Sequence, residues 1–262
     1  MVKRLFEKLY LLLIFAFLYA PIVVLMAFSF NESKSRSVWT GFSLKWYEKV
    51  FQNSEIMSAL YYTLLLAIFS AVIATIIGTI SAIGIHSLGK WGKKLTLDMN
   101  YLPVLNPDIV TGVSLMILFI FVKMRLGFLT LLLSHIVFNI PYVIISVLPK
   151  LRQLDKNIYE AALDLGATPA YAIRRVILPQ IMPGVITGLL LAFTLSLDDF
   201  VISFFTTGSG VTNLSIAIYS MTRRGVSPEI NAISTLMFAV VLVLLVVING
   251  RMSDEKTASD KH

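Results

Sequence analysis

Residues 154–184 read LDKNIYEAALDLGATPAYAIRRVILPQIMPG, a polar island between two long apolar runs. Asn157 stands three residues before Glu160, the spacing of a capping box. The run Ile158–Leu165 is rich in the helix formers Glu, Ala and Leu. Gly166 suits the left-handed position just past a helix end. Thr168 then predicts a second N-cap, with Pro169 at the first helical position. That helix is expected to run to about Leu178, with Pro179 and Pro183 marking the return to apolar sequence. The segment, about 150–182, therefore reads as two short helices joined at a glycine. Two readings of its apolar faces stand open: an amphipathic segment lying at a membrane surface, or a surface that docks a partner.

The sequence on either side is membrane-like. Of 262 residues, 57% are hydrophobic and only 14% charged, against roughly 45–50% apolar and about 25% charged in soluble domains. A spanning helix needs about 20 mostly apolar residues. Six segments qualify: Leu9–Phe30, Ala59–Ile85, Tyr101–Val122, Gly127–Pro149, Pro183–Thr206 and Ile230–Asn249. A transmembrane barrel would instead alternate over segments of about ten residues. The expected fold is an all-α integral membrane domain of six helices, residues 1–262, with a cytoplasmic two-helix loop and a polar tail at 250–262.

The first run follows Lys3, Arg4 and Lys8, as a signal peptide would. It is longer than the usual apolar core of about 7–15 residues and lacks an A-x-A site, so it reads as an uncleaved anchor. With the N-terminus inside, 14 of the 22 Lys and Arg fall on cytoplasmic segments. This bias places both termini in the cytoplasm. The net charge of +7 is then accounted for by insertion and anionic lipid, without nucleic acid.

Acidic residues inside the runs stand out, because an Asp at mid-membrane costs roughly 2.5–3.5 kcal/mol on insertion scales. Asp108 follows Pro107 in the third run, and Asp198 and Asp199 are adjacent in the fifth. Measured from Pro183, Asp198 lies about 22 Å along a straight helix, in the external half. Asp108 is expected nearer the cytoplasmic end. Adjacent helical residues point about 100° apart, so Asp198 and Asp199 face different lines, and Ser196 projects elsewhere again. Each Asp has two readings: a water-lined pathway for a cation, or a structural cap or ion pair.

Glu160-Ala161-Ala162, then Gly166, then Ile177-Leu178-Pro179, resemble the EAA loop of ABC importer permeases. The resemblance implies that Glu160, Ala161, Ala162 and Gly166 touch an ATP-hydrolysing partner subunit. It extends over nearly the whole chain to the permeases of spermidine/putrescine importers. The stretches that carry it are Lys45-Trp46-Tyr47, Pro107-Asp108-Ile109-Val110, Gly127-Phe128, Leu195-Ser196-Leu197-Asp198-Asp199, Ile218-Tyr219-Ser220-Met221 and Gly225-Val226-Ser227-Pro228-Glu229. It implies polyamine import across a bacterial inner membrane. It also implies a second permease subunit, two ATPase subunits and a periplasmic polyamine-binding protein.

Polyamines are chains of ammonium groups, which carboxylates bind through charge-assisted hydrogen bonds and aromatic faces attract. On the resemblance, Asp108, Ser196, Asp198, Asp199, Trp46 and Tyr219 are the pathway candidates. From the residues alone, Trp46 reads first as an interfacial anchor beside Trp39 and Tyr47. His135 reads as a packed helix residue, and Pro21 and Pro141 as kinks.

The sequence holds no cysteine and only three scattered histidines, so no metal cluster is expected. It has no G-x-x-x-x-G-K-[ST] loop and no H-E-x-x-H motif. A transport subunit is expected, without its own ATP site, catalytic residues or cofactor. The alternatives are an ABC permease for another small organic solute or metal ion, or a secondary transporter that needs no ATPase.

Overall fold

The computed structural model describes residues 2–34, 38–155, 157–224 and 228–259, with side chains for 8–34, 38–155, 157–223 and 228–243. The elements are α1 (Val2–Ser29), α2 (Lys45–Gln52), α3 (Ser54–Ser87), α4 (Lys90–Leu105), α5 (Asp108–Phe121) and α6 (Phe128–Gln153). They continue with α7 (Ile158–Asp164), α8 (Pro169–Ala172), a π-helical turn (Ile173–Ile177), α9 (Leu178–Asp198), α10 (Val201–Thr206), α11 (Leu214–Arg224) and α12 (Pro228–Ser259). Among the described residues, extended pairing is confined to an isolated bridge between Asn31 and Phe42.

The segments Lys8–Ser29, Ser54–Ser87, Phe128–Gln153 and Pro169–Asp198 are long and apolar enough to cross a membrane. The expected third span, 101–122, is not one helix. α4 and α5 meet at an angle of 101°. Pro107 supplies no N–H and holds Asn106 in an extended conformation (φ −74°, ψ 142°), so the helix must stop there. Counting this bent pair as one span gives up to five crossings. The expected sixth, 230–249, lies within α12, where Pro228–Val243 is apolar. The side chains of 244–249, those of the first seven residues and the stretch 225–227 lie outside the described residues.

The expected fifth span, 183–206, is corrected at both ends. It begins earlier, because α8, the π-turn and α9 form one continuous rod from Pro169 to Asp198. The second loop helix therefore does not end near Leu178. In the π-turn, Leu178 N–H bonds to Ile173 O, one residue farther back than in an α-helix. That wider turn immediately precedes Pro179 and relieves its clash with the preceding turn. The span also breaks earlier: Asp199 is extended (φ −60°, ψ 126°), and α10 starts afresh at Val201.

The chain divides into two compact units, Met1–Met57 with Ala217–His262, and Ser58–Ile216. In the first, α12 packs on α1 and α2. Trp46 is buried there, and its indole N–H donates to Asn31 O at 2.7 Å. In the second, α6 and α9 make the most extensive pairing. Val143, Val147, Leu148 and Leu151 of α6 and Ile181 and Ala192 of α9 form its core together with Ala71, Ala82 and Ile85 of α3. Gly184, Gly188, Ala192 and Ser196 recur every four residues along α9, all buried. Such a small-residue stripe lets two helix backbones approach. A Cβ on Gly188 would lie 3.2 Å from Val143 Cα, and one on Gly184 would lie 3.0 Å from Ser146 O.

Candidate functional site

Two regions of the second unit collect the sequence candidates. The first is the loop between α6 and α9. The α7 helix ends with two hydrogen bonds, Ala167 N–H to Ala162 O (3.1 Å) and Gly166 N–H to Leu163 O (2.9 Å). This is a Schellman ending, with Gly166 left-handed at φ +85°. Thr168 caps the next helix as expected, its hydroxyl oxygen accepting from Tyr171 N–H at 3.3 Å. The capping box expected at Asn157 is not formed, because Asn157 is itself helical (φ −89°, ψ −12°). The turn is made instead by Asp155, which accepts from Asn157 N–H at 3.0 Å.

Glu160, Ala161 and Gly166 are exposed, and Ala162 is half-buried. Leu165 is 89% exposed and Tyr171 57% exposed. Both border a groove of about 480 Å³, which Ala162, Gly166, Ala167, Thr168 and Val176 complete. On the opposite side, Ile158 and Tyr159 pack on the core cluster. The loop is thus braced on the bundle by one face and presents a small, largely apolar groove on the other.

The second region is where two broken helices meet. Gly112, one turn into α5, lies against Ile202 and Phe205 of α10: a Cβ there would sit 3.3 Å from Ile202 Cα. This packs the first half of α5 against α10. The break at Pro107 makes Asp108 the first residue of a helix. Its carboxylate stands exposed in the first turn, where the helix dipole favours negative charge.

Asp198 and Asp199 straddle the other break and point different ways. Asp198 ends α9, is exposed, and forms no ion pair among the described residues. The Asp199 side chain is only 6% exposed. Its carboxylate accepts from Ile202 N–H (3.3 Å) and Ser203 N–H (2.8 Å), so it caps α10. Asp199 Oδ2 also lies 3.5 Å from His135 Nε2 on α6. Ser196 is fully buried, 2.9 Å from Ser70 Oγ, and accepts from the Asn139 side-chain amide at 2.7 Å.

His135, expected as a packed helix residue, is fully buried. Its polar partners escaped the sequence reading: Ser203, also fully buried, has Oγ 3.0 Å from His135 Nε2. Asn213, also fully buried, donates to Ser203 Oγ (2.7 Å) and Asp199 O (3.2 Å). A usable signal did exist: His135 and Asn139 are four residues apart, hence on one face of a mostly apolar helix.

Trp46 and Tyr219 belong to the first unit. Lys45 and Lys49 each place an ammonium 5.0 Å from the centre of the buried Trp46 ring. Tyr219 is 39% exposed, with the Arg223 guanidinium 5.3 Å above its ring. Among the described residues no group of His, Asp and Glu is arranged to hold a metal ion.

Helices long and apolar enough to span a membrane, two breaks beside acidic residues and a braced polar loop describe an integral membrane protein of the transporter type. The chain belongs to the family of binding-protein-dependent transport system inner membrane components, whose match covers residues 74–252. It is 40% identical over 246 residues to the spermidine/putrescine transport system permease protein PotC of Escherichia coli K12, covering 94% of this chain and 93% of that one. It is 43% identical over 238 residues to the putrescine transport system permease protein PotI of the same organism, covering 88% of this chain and 85% of that one. Its fold resembles a chain of a bacterial ABC transporter that imports alginate, with a TM-score of 0.74, 19% identity and 97% of both chains covered.

Proposed function

We propose that this chain is a permease subunit of an ATP-driven importer that carries polyamines, spermidine or putrescine or both, across a bacterial inner membrane. The carrying observation is its likeness, 40% and 43% identical over most of both chains, to two permeases named for those cargoes. The chemistry of the second unit supports the cargo. Asp198 offers an exposed carboxylate at a helix break, and Asp108 a second one at the neighbouring break. Carboxylates of this kind suit the charge-assisted hydrogen bonds of an ammonium chain.

In this reading the chain pairs with a second permease, and two ATPase subunits dock beneath. A periplasmic binding protein delivers the polyamine from outside. Both termini lie in the cytoplasm, as the Lys and Arg bias favours. The groove edged by Leu165 and Tyr171 receives the ATPase, with Glu160, Ala161, Ala162 and Gly166 at the contact. ATP-driven closure of the ATPases moves the loop, and the continuous rod from Pro169 to Asp198 carries that motion to the aspartates. The chain itself hydrolyses nothing.

The test is labelled polyamine uptake in cells that lack their own importer, with this chain and its partners added back. Restored, ATP-dependent uptake of spermidine or putrescine is expected. An assembled importer that moves another solute, and no polyamine, would overturn the cargo. Uptake that follows a proton gradient without any ATPase would overturn the class.

A further inference from the structure

The two adjacent aspartates are chemically identical, yet the fold treats them in opposite ways. Asp199 gives both carboxylate oxygens to the interior. Two backbone N–H groups of α10 bind it, and His135 Nε2 lies 3.5 Å from Oδ2. Three further contacts fix this arrangement. Ser203 Oγ stands 3.0 Å from His135 Nε2, and Asn213 donates to both Ser203 Oγ and Asp199 O. Asn213 Oδ1 in turn accepts from Ile216 N–H at 3.0 Å, which ties the network to the start of α11. The Nε2 edge of the imidazole thus faces both Ser203 Oγ and the Asp199 carboxylate.

A buried carboxylate held by capping N–H groups alone would still carry much of its charge uncompensated in a low-dielectric setting. Given a choice, it would turn toward the open side where Asp198 already stands. His135 is placed to prevent this. It comes from α6, the helix most extensively packed against α9, so it is a fixed point for the break.

We propose that His135 is a positioning residue: from inside the bundle it holds Asp199 inward as the cap of α10, so that Asp198 alone faces outward as the carboxylate open to a cation. The importance of this to transport rests on the polyamine reading, but the placement of the two carboxylates does not.

The chain has no cysteine, so a single introduced thiol is unique within it. Asp198→Cys and Asp199→Cys are made separately in the full chain, assembled with its partners in nanodiscs so that both faces are open. Each is titrated with a cationic reagent, aminoethyl methanethiosulfonate, and with its anionic sulfonatoethyl counterpart. The thiol at position 198 is expected to react at least about tenfold faster than the thiol at 199, in line with exposed against capped positions. Equal rates would overturn the proposal, whatever the complex transports.

The role of His135 is then read in the Asp198→Cys chain. His135→Leu frees Asp199 to turn outward and add a negative charge beside the thiol. The ratio of cationic to anionic labelling rates should rise roughly threefold or more, as one unit charge a few ångströms away in screened water would cause. A slower thiol would affect both reagents alike and cancel in the ratio. His135→Gln keeps an N–H donor and should leave the ratio near its starting value. An unchanged ratio in His135→Leu would show that other groups hold Asp199. If His135→Leu does not assemble, His135→Gln decides against His135→Ala: equal ratios in those two variants would overturn the positioning role.

Discussion

At the scale of single residues, the adjacent aspartates are placed differently, Asp198 exposed and Asp199 buried as a cap. Asp198→Asn removes an exposed charge and no described ion pair, so the assembled importer should keep its thermal stability and lose polyamine uptake. Uptake within twofold of the parent rate would contradict direct contact with the cation. Asp199→Ala instead removes the cap of α10, a loss of about 0.5–2 kcal/mol by analogy with other N-caps. It should lower the melting temperature of the purified complex, and an unchanged melting temperature would contradict the capping role. The sequence announced that both aspartates needed a reason. It did not announce that they divide the roles, because the division depends on a helix break after Asp198 and on His135, 64 residues away. Nor did it announce the bend of 101° just before Asp108, because a straight-helix reading cannot include one.

At the scale of elements, the loop was the most legible part. Gly166, Thr168 and Pro169 act locally, through backbone conformation and a hydrogen bond three residues away, so their roles followed from order alone. The continuation of α8 into α9 was hidden, because Pro179 ordinarily ends a helix and the π-turn before it leaves no pattern in the residues. Gly166→Pro should be worse than a local defect. Its φ of +85° is closed to proline, and the substitution should stop uptake while the chain still inserts. Uptake at the parent rate would remove the turn from the coupling mechanism. The α6–α9 seam makes a second prediction. Gly188→Val places a branched side chain within a space where a bare Cβ already lies 3.2 Å from Val143 Cα. Overpacking of this kind costs about 1–3 kcal/mol. Thermal unfolding of the purified subunit should show the loss, and a parental melting curve would mean that the helices separate more readily than their packing suggests.

At the scale of the whole molecule, membrane residence was readable from composition, and the family from the loop and the near full-length likeness. What sequence could not supply was how spans are interrupted. Both breaks occur where backbone hydrogen bonding is interrupted, by a proline in one case and by a competing carboxylate in the other. In a membrane such interruptions are tolerated where protein or water satisfies the freed groups. That places them beside a pathway more naturally than against lipid. The loop and the break after Asp198 are joined by the single rod Pro169–Asp198, which gives the proposed ATPase contact a mechanical route to the exposed Asp198. Cargo contact and motor contact should therefore be separable by substitution.

The most direct measurement compares the parent importer with Asp198→Asn and Glu160→Lys in proteoliposomes, recording ATP hydrolysis and labelled polyamine uptake together in the presence of the binding protein. The account predicts that Asp198→Asn continues to hydrolyse ATP while its uptake falls at least tenfold, and that Glu160→Lys loses both stimulated hydrolysis and uptake although the chain is inserted. Full polyamine uptake by both variants would contradict it.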